Sequence, residues 1–509
     1  MANAALYFVD RWRDGPEASK AAFREIGRDD ALTYGALADQ SDRMADFYAK
    51  AGVRREDRAA MLVLDVLEFP VIFWGSLKAG VVPIPLNTLL ATPVYDAILR
   101  DSRARVLFVS AALLPVVEPI LDELPDLETV FVVGGPGGDH ASFADAFEGC
   151  APSPMIEAKD DETAFWLYSS GSTGQPKGVR HVHGALRGTA DTYGAQVLGI
   201  ETSDVVLSAA KLFFAYGLGN AMTFPMSVGA TTLLFPGRPT PDGMLEALEA
   251  EKPTLFCGVP TLYAAMVAAM QKAGGAPDAP LRRCISAGEA LPEEVGKGWL
   301  DLWGVDILDG VGSTEMLHIF LSNAPGDVVY GTSGVAVPGY DVKLVTETGD
   351  EPAPGDVGEL LVRGASAADG YWNNRAKTRA TFEGEWTRTG DKYTRTDDGR
   401  FVYCGRTDDM FKVSGIWVSP FEVEQALISH ASVLEAAVVA ARDDDDLEKP
   451  KAFVVLKDGV GDDGLREELK ETVKARVGKW KYPRWIEFAD DLPKTATGKI
   501  QRFKLRDAS

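Results

Sequence analysis

The segment Tyr168-Ser-Ser-Gly-Ser-Thr-Gly-Gln-Pro-Lys-Gly178 concentrates hydroxyl groups, glycines and one lysine within a few residues. The run Thr163–Tyr168 before it has the composition of a β-strand, so the segment is predicted to be a loop at a strand end. Glycines let backbone N–H groups turn toward an anion, hydroxyls donate hydrogen bonds, and Lys177 adds a positive charge. The segment therefore predicts a polyphosphate-binding loop, although the Gly-x4-Gly-Lys-Ser/Thr pattern of the P-loop is absent. A flexible Gly/Ser linker is the alternative, but linkers rarely follow an apolar strand directly.

Five further motifs follow this loop. They are Ser286-Ala-Gly-Glu-Ala-Leu-Pro292, Gly312-Ser-Thr-Glu315, Thr389-Gly-Asp391, Gly405-Arg-Thr-Asp-Asp409 and Pro493-Lys-Thr-Ala-Thr-Gly-Lys499. Together with the loop, in the same order, they resemble the motifs of the ANL superfamily of adenylating enzymes, which contains acyl-CoA synthetases, peptide-synthetase adenylation domains and luciferases. Within it, two segments are most similar to benzoate-CoA ligases: Phe213-Phe-Ala-Tyr-Gly-Leu-Gly219 and Glu315-Met-Leu-His-Ile-Phe320.

Composition excludes several classes of partner. The 509 residues are 46% hydrophobic and 25% charged, which is typical of a globular protein with two or more domains. A net charge of -23 disfavours binding to nucleic acid or to an anionic membrane. Neither a signal-peptide pattern nor an apolar run long enough to span a bilayer occurs. The isolated cysteines Cys150, Cys257, Cys284 and Cys404 argue against a zinc site or a disulfide framework and favour a cytoplasmic location.

The order of predicted elements indicates an α/β fold. Apolar runs such as Val106–Val109 and Leu255–Cys257 alternate with helical patterns and suit strands that are covered on both faces. After Gly331 the pattern favours a more antiparallel subdomain, and from Met410 a compact α+β unit. The resemblance implies a large N-terminal adenylating domain with mixed α/β sheets plus a β-barrel-like subdomain, and a small mobile α+β C-terminal domain. It places the ATP- and aryl-acid-binding domain at residues 1–407 and the mobile catalytic domain at 408–509, with the hinge at Asp408.

The resemblance also implies the nucleotide contacts. Hydroxyls and the lysine of the first loop hold the β- and γ-phosphates, the Gly-Glu-Ala segment lies along adenine, and carboxylates contact the adenine amine and the ribose. Many relatives carry an aromatic residue where this chain has Val311, so an aliphatic contact with adenine is expected. A plain turn is the alternative for Thr389-Gly-Asp391. The implied ATP- or AMP-binding residues are Ser169, Ser170, Ser172, Thr173, Lys177, Gly288, Glu289, Ala290, Asp309, Thr314, Asp391, Arg406 and Lys499.

Three residues have implied catalytic roles. Glu315 ligates Mg²⁺, a hard cation that prefers carboxylate, phosphate and water oxygens. Thr314 donates to the α-phosphate, and Lys499 bridges the substrate carboxylate and the α-phosphate while charge develops there. The alternatives are a surface carboxylate for Glu315 and a solvated charge for Lys499.

CoA contacts are implied on the C-terminal domain. After a rotation about Asp408, Gly415 allows close approach of the pantetheine and Trp417 packs near it, although a core position for Trp417 is an equal alternative. Lys481 meets a CoA phosphate or belongs to a solvated basic face. Acylation of Lys499 by a protein lysine acyltransferase would remove its charge and stop adenylation.

The acyl pocket is implied to be a flat apolar slot. Many relatives have a histidine where this chain has Phe214, so any gate to the pocket is apolar. His318 has two interpretations: its imidazole bonds a ring hydroxyl at the far edge of the substrate, or it only packs. The residues implied to line the pocket are Phe214, Ala215, Tyr216, Gly217, His318 and Ile319.

These features predict an ATP- and Mg²⁺-dependent aryl-acid:CoA ligase of aromatic compound degradation. Its expected reaction converts benzoate, ATP and CoA to benzoyl-CoA, AMP and pyrophosphate through an acyl-adenylate. One hydroxyl is worth only a few kcal/mol, so 4-hydroxybenzoate and 2-aminobenzoate remain alternatives. Other classes are an adenylating enzyme that loads a separate carrier protein, a non-catalytic nucleotide-binding scaffold and a luciferase-like oxygenase. A monomer and a homodimer are both open.

Overall fold

The computed structural model describes residues 3–170, 176–407, 409–413, 416–443, 447–457, 461–494 and 500–507, and all counts of strands and helices refer to these residues. Ser172, Thr173, Asp408, Gly415 and Lys499, which carry predicted roles, lie outside them.

The largest sheet has nine strands in the described ranges. Its six central strands are parallel, and antiparallel strands close both edges. The central strands are apolar because helices cover both faces of a parallel sheet. This arrangement confirms the strands predicted from apolar runs. From edge to edge the strands are Val335–Ala336, Ile319–Ser322, Ile307–Gly312, Arg283–Ser286, Leu255–Gly258, Val205–Ser208, Thr231–Leu234, Ala21–Glu25 and Ala31–Thr33.

A second sheet has five described strands, all parallel. The carboxyl ends of its strands meet at one edge, as do those of the central strands of the larger sheet. Ligand sites in open α/β sheets lie at such edges. Its strands in spatial order are Val82–Pro85, Arg58–Leu62, Val106–Ser110, Thr129–Val133 and Ala141–Ser142.

Helices connect the parallel strands. Two of them, Phe224–Val228 and Pro260–Ala273, begin with proline in the first turn and end at a left-handed glycine, as expected from the fixed φ of proline and the freedom of glycine. None of the helices in the described ranges combines the length and apolarity needed to cross a membrane. The α-helices of this part are Ala5–Phe8, Tyr34–Lys50, Glu68–Ala79, Thr92–Ser102, Leu114–Val117, Phe143–Phe147, His183–Thr189, Ala215–Leu218, Phe224–Val228, Pro241–Glu251, Pro260–Ala273, Glu293–Trp303 and Arg375–Thr381. Short 3₁₀-helices are Asp10–Trp12, Ala111–Leu113 and Glu118–Glu123, and π-helices are Ala190–Leu198 and Gly219–Thr223.

The predicted phosphate loop connects two antiparallel strands. Thr163–Ser170 pairs with Pro176–Val182, and Gly370–Tyr371 pairs with the other side of Pro176–Val182. The strand predicted at Thr163–Tyr168 is therefore confirmed, and residues 171–175 of the loop lie outside the described residues.

An antiparallel sheet follows, as the change in pattern after Gly331 predicted. It corresponds to the predicted barrel-like subdomain. Its strands are Asp341–Val345, Gly358–Arg363, Trp386–Arg395, Phe382–Glu383 and Phe401–Arg406.

The C-terminal part is an α+β unit, as predicted. Two hydrophobic clusters contain only residues from Phe411 onward, whereas the clusters of the N-terminal part contain no residue after Tyr403. The clusters thus divide between Tyr403 and Phe411, and the boundary at 407/408 with its hinge at Asp408 stays a prediction. The strands are Phe411–Val413, Ile416–Val418, Val433–Arg442, Glu448–Leu456 and Trp485–Phe488, and the helices are Pro420–Ile428, Asp463–Val477 and Arg502–Asp507.

Candidate active site

Lys177, Glu315 and Tyr371 meet beside the phosphate loop. Lys177 lies in the strand after the loop, and its Nζ is 4.9 Å from the centroid of the Tyr371 ring. The Tyr371 hydroxyl donates to Glu315 Oε1 at 2.8 Å. Sequence reasoning missed Tyr371, because a tyrosine in a Gly-Tyr-Trp-Asn segment carries no chemical signal until strand pairing places it there. The Lys177 ammonium and the Glu315 carboxylate therefore both lie beside Tyr371.

The electrostatics of this group suit a metal–phosphate site. Burial lowers the pKa of Lys177, and the nearby Glu315 carboxylate opposes that shift. Burial and the Glu315 charge both raise the pKa of Tyr371, so its phenol stays protonated and keeps donating. In the part of the chain that the structure describes, no three His, Cys, Asp or Glu side chains form a metal cluster. A lone carboxylate fits Mg²⁺, which is commonly held by one or two carboxylates plus substrate phosphates and water.

Asp391 and Arg406 face each other on neighbouring antiparallel strands. Arg406 Nη1 donates to Asp391 Oδ1 at 3.0 Å and to the Thr389 carbonyl at 3.1 Å. The Asp391 charge raises the pKa of Arg406, which stays cationic. Thr389-Gly-Asp391 lies within the strand Trp386–Arg395, so the alternative of a plain turn is wrong.

The predicted adenine wall lies at the carboxyl ends of two adjacent parallel strands. Gly288 has a φ of 102° just after the strand Arg283–Ser286, a conformation that favours glycine. Asp309 on the next strand is buried, and its Oδ2 accepts from the Leu291 amide at 3.3 Å. Burial raises the pKa of Asp309 to about 8. Its Oδ1 has no hydrogen-bond partner within the described ranges, which leaves a spare acceptor.

The C-terminal part touches this wall. The Ile500 amide donates to Glu289 Oε1 at 3.2 Å. Ile500 follows Lys499 directly in the sequence and forms an isolated bridge with Lys494. The contact therefore brings the residue after the predicted catalytic lysine to the predicted adenine wall.

The segment that carries the acyl-pocket residues is a short helix, Ala215–Leu218. The Tyr216 hydroxyl lies 3.2 Å from the Gly258 carbonyl and 3.1 Å from the Ile285 carbonyl, at the ends of two parallel strands. A Cβ on Gly217 would lie 2.0 Å from the Lys211 carbonyl oxygen, so this position requires glycine. The Phe214 ring lies against Phe213, with centroids 4.3 Å apart.

His318 closes an aromatic cluster behind this helix. It follows Leu317, whose φ of 65° is unusual for a bulky residue and marks a tight turn. His318 is 3% exposed, and its Nε2 lies 3.3 Å from the Tyr216 carbonyl. Its ring centroid is 4.5 Å from that of Phe224 and 5.2 Å from that of Tyr193, two residues that sequence reasoning missed.

His318 is a neutral imidazole with one spare nitrogen. Burial lowers its pKa to about 3. Nδ1 has no hydrogen-bond partner among the residues described by the structure. The adjacent Ile319 begins a buried strand.

Of the remaining predicted residues, Ser169 lies opposite Lys177 on the paired strand. Ser169 and Ser170 end the strand Thr163–Ser170, and the Ser169 hydroxyl is buried. The Thr314 carbonyl accepts from the Leu317 amide at 3.1 Å. Lys481 Nζ lies 2.5 Å from Glu422 Oε2, and Trp417 lies in the strand Ile416–Val418.

Known proteins match the chain over nearly its whole length. A benzoate–CoA ligase from Thauera aromatica is 54% identical over 522 residues, 97% of each chain. A 4-hydroxybenzoate–CoA/benzoate–CoA ligase from Rhodopseudomonas palustris is 52% identical, over 99% of this chain and 94% of the relative. The crystal structure of a benzoate CoA ligase from Burkholderia xenovorans LB400 matches with a TM-score of 0.92 at 48% identity, over 99% of this chain and 100% of that chain.

Family profiles cover both parts of the chain. The profile of the AMP-binding enzyme matches residues 9–372, and that of the AMP-binding enzyme C-terminal domain matches residues 422–499. The chain therefore belongs to the AMP-binding enzyme family, which confirms the predicted relationship to AMP-forming acyl-CoA synthetases.

Proposed function

We propose that this protein is an ATP-dependent aryl-acid:CoA ligase that acts on benzoate. It joins the benzoate carboxylate to the α-phosphorus of ATP and expels pyrophosphate, and the CoA thiol then displaces AMP. The observation that carries the choice of acid is the aromatic cluster of Tyr193, Tyr216 and Phe224 around the neutral, buried His318. Such a cluster gives the proposed acyl pocket an apolar end wall. The relatives named as benzoate–CoA ligases support the same choice.

The nucleotide is proposed to lie between the phosphate loop and Asp391. Lys177 supplies positive charge to the β- and γ-phosphates, together with the hydroxyls of the loop. Arg406 orients the Asp391 carboxylate toward the ribose hydroxyls, since it binds one carboxylate oxygen and the Thr389 carbonyl at once. The spare acceptor of Asp309 suits the exocyclic amine of adenine. Thr314 is placed two residues beyond the same strand as Asp309, beside Glu315.

Glu315 is proposed to hold Mg²⁺. The ion supplies charge neutralisation to the triphosphate when bound, and Tyr371 keeps the carboxylate in place through its 2.8 Å hydrogen bond. Lys499 is proposed to stabilise the charge that develops between the benzoate carboxylate and the α-phosphate. The contact between Ile500 and Glu289 supports a position of Lys499 near the nucleotide during this step.

CoA is proposed to approach from the C-terminal domain after a rotation about Asp408. Gly415, Trp417 and Lys481 are the residues proposed to meet it. Lys481 must exchange its ion pair with Glu422 for a CoA phosphate. We also propose a cytoplasmic location, supported by four buried cysteines that are all unpaired. Acylation of Lys499 and the choice between monomer and homodimer remain proposals of the same kind.

CoA-dependent AMP release tests the proposed function. The assay compares benzoate with its 2-, 3- and 4-hydroxy, fluoro and amino derivatives, with cyclohexanecarboxylate and with short fatty acids. We expect strong turnover of benzoate and weak turnover of the aliphatic acids, because the pocket is aromatic. Turnover of aliphatic acids alone would contradict the aryl specificity, and AMP release that requires a carrier protein in place of CoA would contradict the ligase.

A specific observation also favours 4-hydroxybenzoate as a second substrate. His318 Nδ1 is a buried polar atom without a partner among the described residues, and a ring hydroxyl would satisfy it. One relative is named for both acids. A kcat/KM for 4-hydroxybenzoate within about tenfold of that for benzoate would give His318 this role.

Gly219 provides a test of the aromatic end of the pocket. A Cβ at this position would lie 2.3 Å from His318 Cδ2 and 3.0 Å from Phe224 Cζ. We expect Gly219→Ala to displace the imidazole and lower kcat/KM for benzoate about tenfold or more, as overpacking costs about 1–3 kcal/mol. The KM for ATP is expected to stay unchanged. Gly275→Ala is the matched control, because an added Cβ there meets nothing within 4 Å. If Gly219→Ala lowers activity equally toward every acid and also raises the KM for ATP, its effect is not confined to the acyl pocket and this prediction is wrong.

A further inference from the structure

The acyl-pocket segment depends on the backbone of Lys211. The Phe214 amide donates to the Lys211 carbonyl at 3.0 Å. The same carbonyl packs directly on Gly217, where a Cβ would come within 2.0 Å of its oxygen. A shift of the backbone at Lys211 would therefore move Phe214 and Gly217 together, and with them Tyr216.

Asp65 holds the start of this segment from the other sheet. It lies just beyond the carboxyl end of the strand Arg58–Leu62 and is 3% exposed. Its Oδ1 accepts from the Leu212 amide at 3.2 Å. The bond thus connects the carboxyl edge of the five-stranded sheet to the segment that leaves the carboxyl end of Val205–Ser208 in the nine-stranded sheet.

The Lys211 side chain links the pocket segment to Asp65 and to the Phe235 backbone. Its Nζ lies 4.0 Å from Asp65 Oδ2 and donates to the Phe235 carbonyl, just after the strand Thr231–Leu234. The side chain is 12% exposed. Burial lowers the pKa of Lys211 and raises that of Asp65 to about 6, and the opposite charge of each partner opposes both shifts. Among the described residues, the polar contacts of these two side chains are with each other, the Leu212 amide and the Phe235 carbonyl.

We propose that Asp65 and Lys211 are specificity-determining positioning residues, which hold residues 210–219 so that Phe214 and Tyr216 form the wall of the aryl-acid pocket. The proposal rests on the proposed function. A buried ion pair contributes little net stability, and apolar residues of similar volume are often as stable in its place. A positioning role explains why this site nevertheless carries an ion pair. The Asp65 carboxylate accepts a hydrogen bond from Leu212 and lies beside the Lys211 charge. Together these contacts fix residues 210–219 in a single arrangement.

The test measures the KM for benzoate and the KM for ATP separately in CoA-dependent AMP release. Asp65→Ala removes the acceptor of the Leu212 amide and leaves the Lys211 ammonium unpaired. We expect the KM for benzoate to rise about tenfold or more, because an unsatisfied buried group is costly. The KM for ATP is expected to stay within about twofold of the wild-type value, because a substitution at one site has little effect on a distant site that shares no partners with it. The preference for benzoate over its 4-substituted derivatives is expected to weaken.

Conservative variants separate positioning from folding. Asp65→Asn keeps an oxygen for the Leu212 amide, and its double variant with Lys211→Met removes both charges. We expect this double variant to have a KM for benzoate between those of the wild type and Asp65→Ala, because the Leu212 amide keeps an acceptor while the bond from Lys211 to the Phe235 carbonyl is lost. Lys78→Met is the matched control, since Lys78 is another buried lysine, paired with Asp10 and Asp42 far along the chain from the pocket segment. It is expected to lower the thermal midpoint and leave both KM values unchanged.

The outcomes distinguish this proposal from the proposed function. Wild-type protein that releases no AMP with any aryl acid would contradict the proposed function itself. Active wild type together with Asp65→Ala that raises both KM values equally, or neither, would contradict the positioning role. A change in the benzoate KM of Lys78→Met as large as that of Asp65→Ala would also contradict it.

Discussion

Lys499→Ala is expected to lower the rate of benzoyl-adenylate formation by about 10²- to 10³-fold, the usual effect of losing one preorganised donor to developing charge. The second half-reaction, thioester formation from supplied benzoyl-adenylate, is expected to change less than about threefold, because the lysine contacts charge that develops only in the first step. Pyrophosphate exchange measures the first step, and benzoyl-CoA formation from synthetic benzoyl-adenylate measures the second.

Lys504→Ala is the matched control for Lys499. Lys504 is an exposed lysine five residues further along the chain, on the helix Arg502–Asp507. Its removal changes the net charge equally and is expected to leave both half-reactions unchanged. If Lys499→Ala forms the adenylate at the wild-type rate, or if both half-reactions fall together, the assigned role is wrong.

Glu315→Gln is expected to slow adenylate formation by about 10²- to 10³-fold as well. Glutamine keeps an oxygen that accepts from the Tyr371 hydroxyl, so the local packing survives while the charge for Mg²⁺ is lost. The Mg²⁺ concentration needed for half-maximal pyrophosphate exchange is expected to rise, since a hard divalent cation prefers a carboxylate to an amide.

Tyr371→Phe provides the comparison for Glu315→Gln. It removes the hydrogen bond at 2.8 Å and keeps the carboxylate. We expect a loss of less than about tenfold, because the carboxylate remains available and only its orientation loosens. A Tyr371→Phe effect as large as that of Glu315→Gln would show that the hydrogen bond matters more than the charge, and would remove the argument for a metal ligand.

The surroundings of three residues of the candidate site could not be predicted from the sequence. The motif Thr389-Gly-Asp391 looks like a turn in isolation, yet it lies within a ten-residue strand that pairs with a strand on each side and has Arg406 opposite Asp391. Tyr371 has no distinguishing sequence context. It can be recognised as a site residue only from the pairing of Gly370–Tyr371 with the strand of Lys177. His318 was recognised beside Glu315, but its neutral state follows from burial against Phe224 and Tyr193.

The sequence by itself determined the class of fold, the strands that have clear apolar runs and the order of the adenylation motifs, because these depend on local properties: apolar runs, glycines, prolines and hydroxyl-rich loops. Contacts between distant segments were decided only by the tertiary structure. The Asp65 bond to Leu212 spans 147 positions, and the Tyr371 bond to Glu315 spans 56. Such pairs depend on the order and register of strands in two sheets, and those are set by how whole faces pack together.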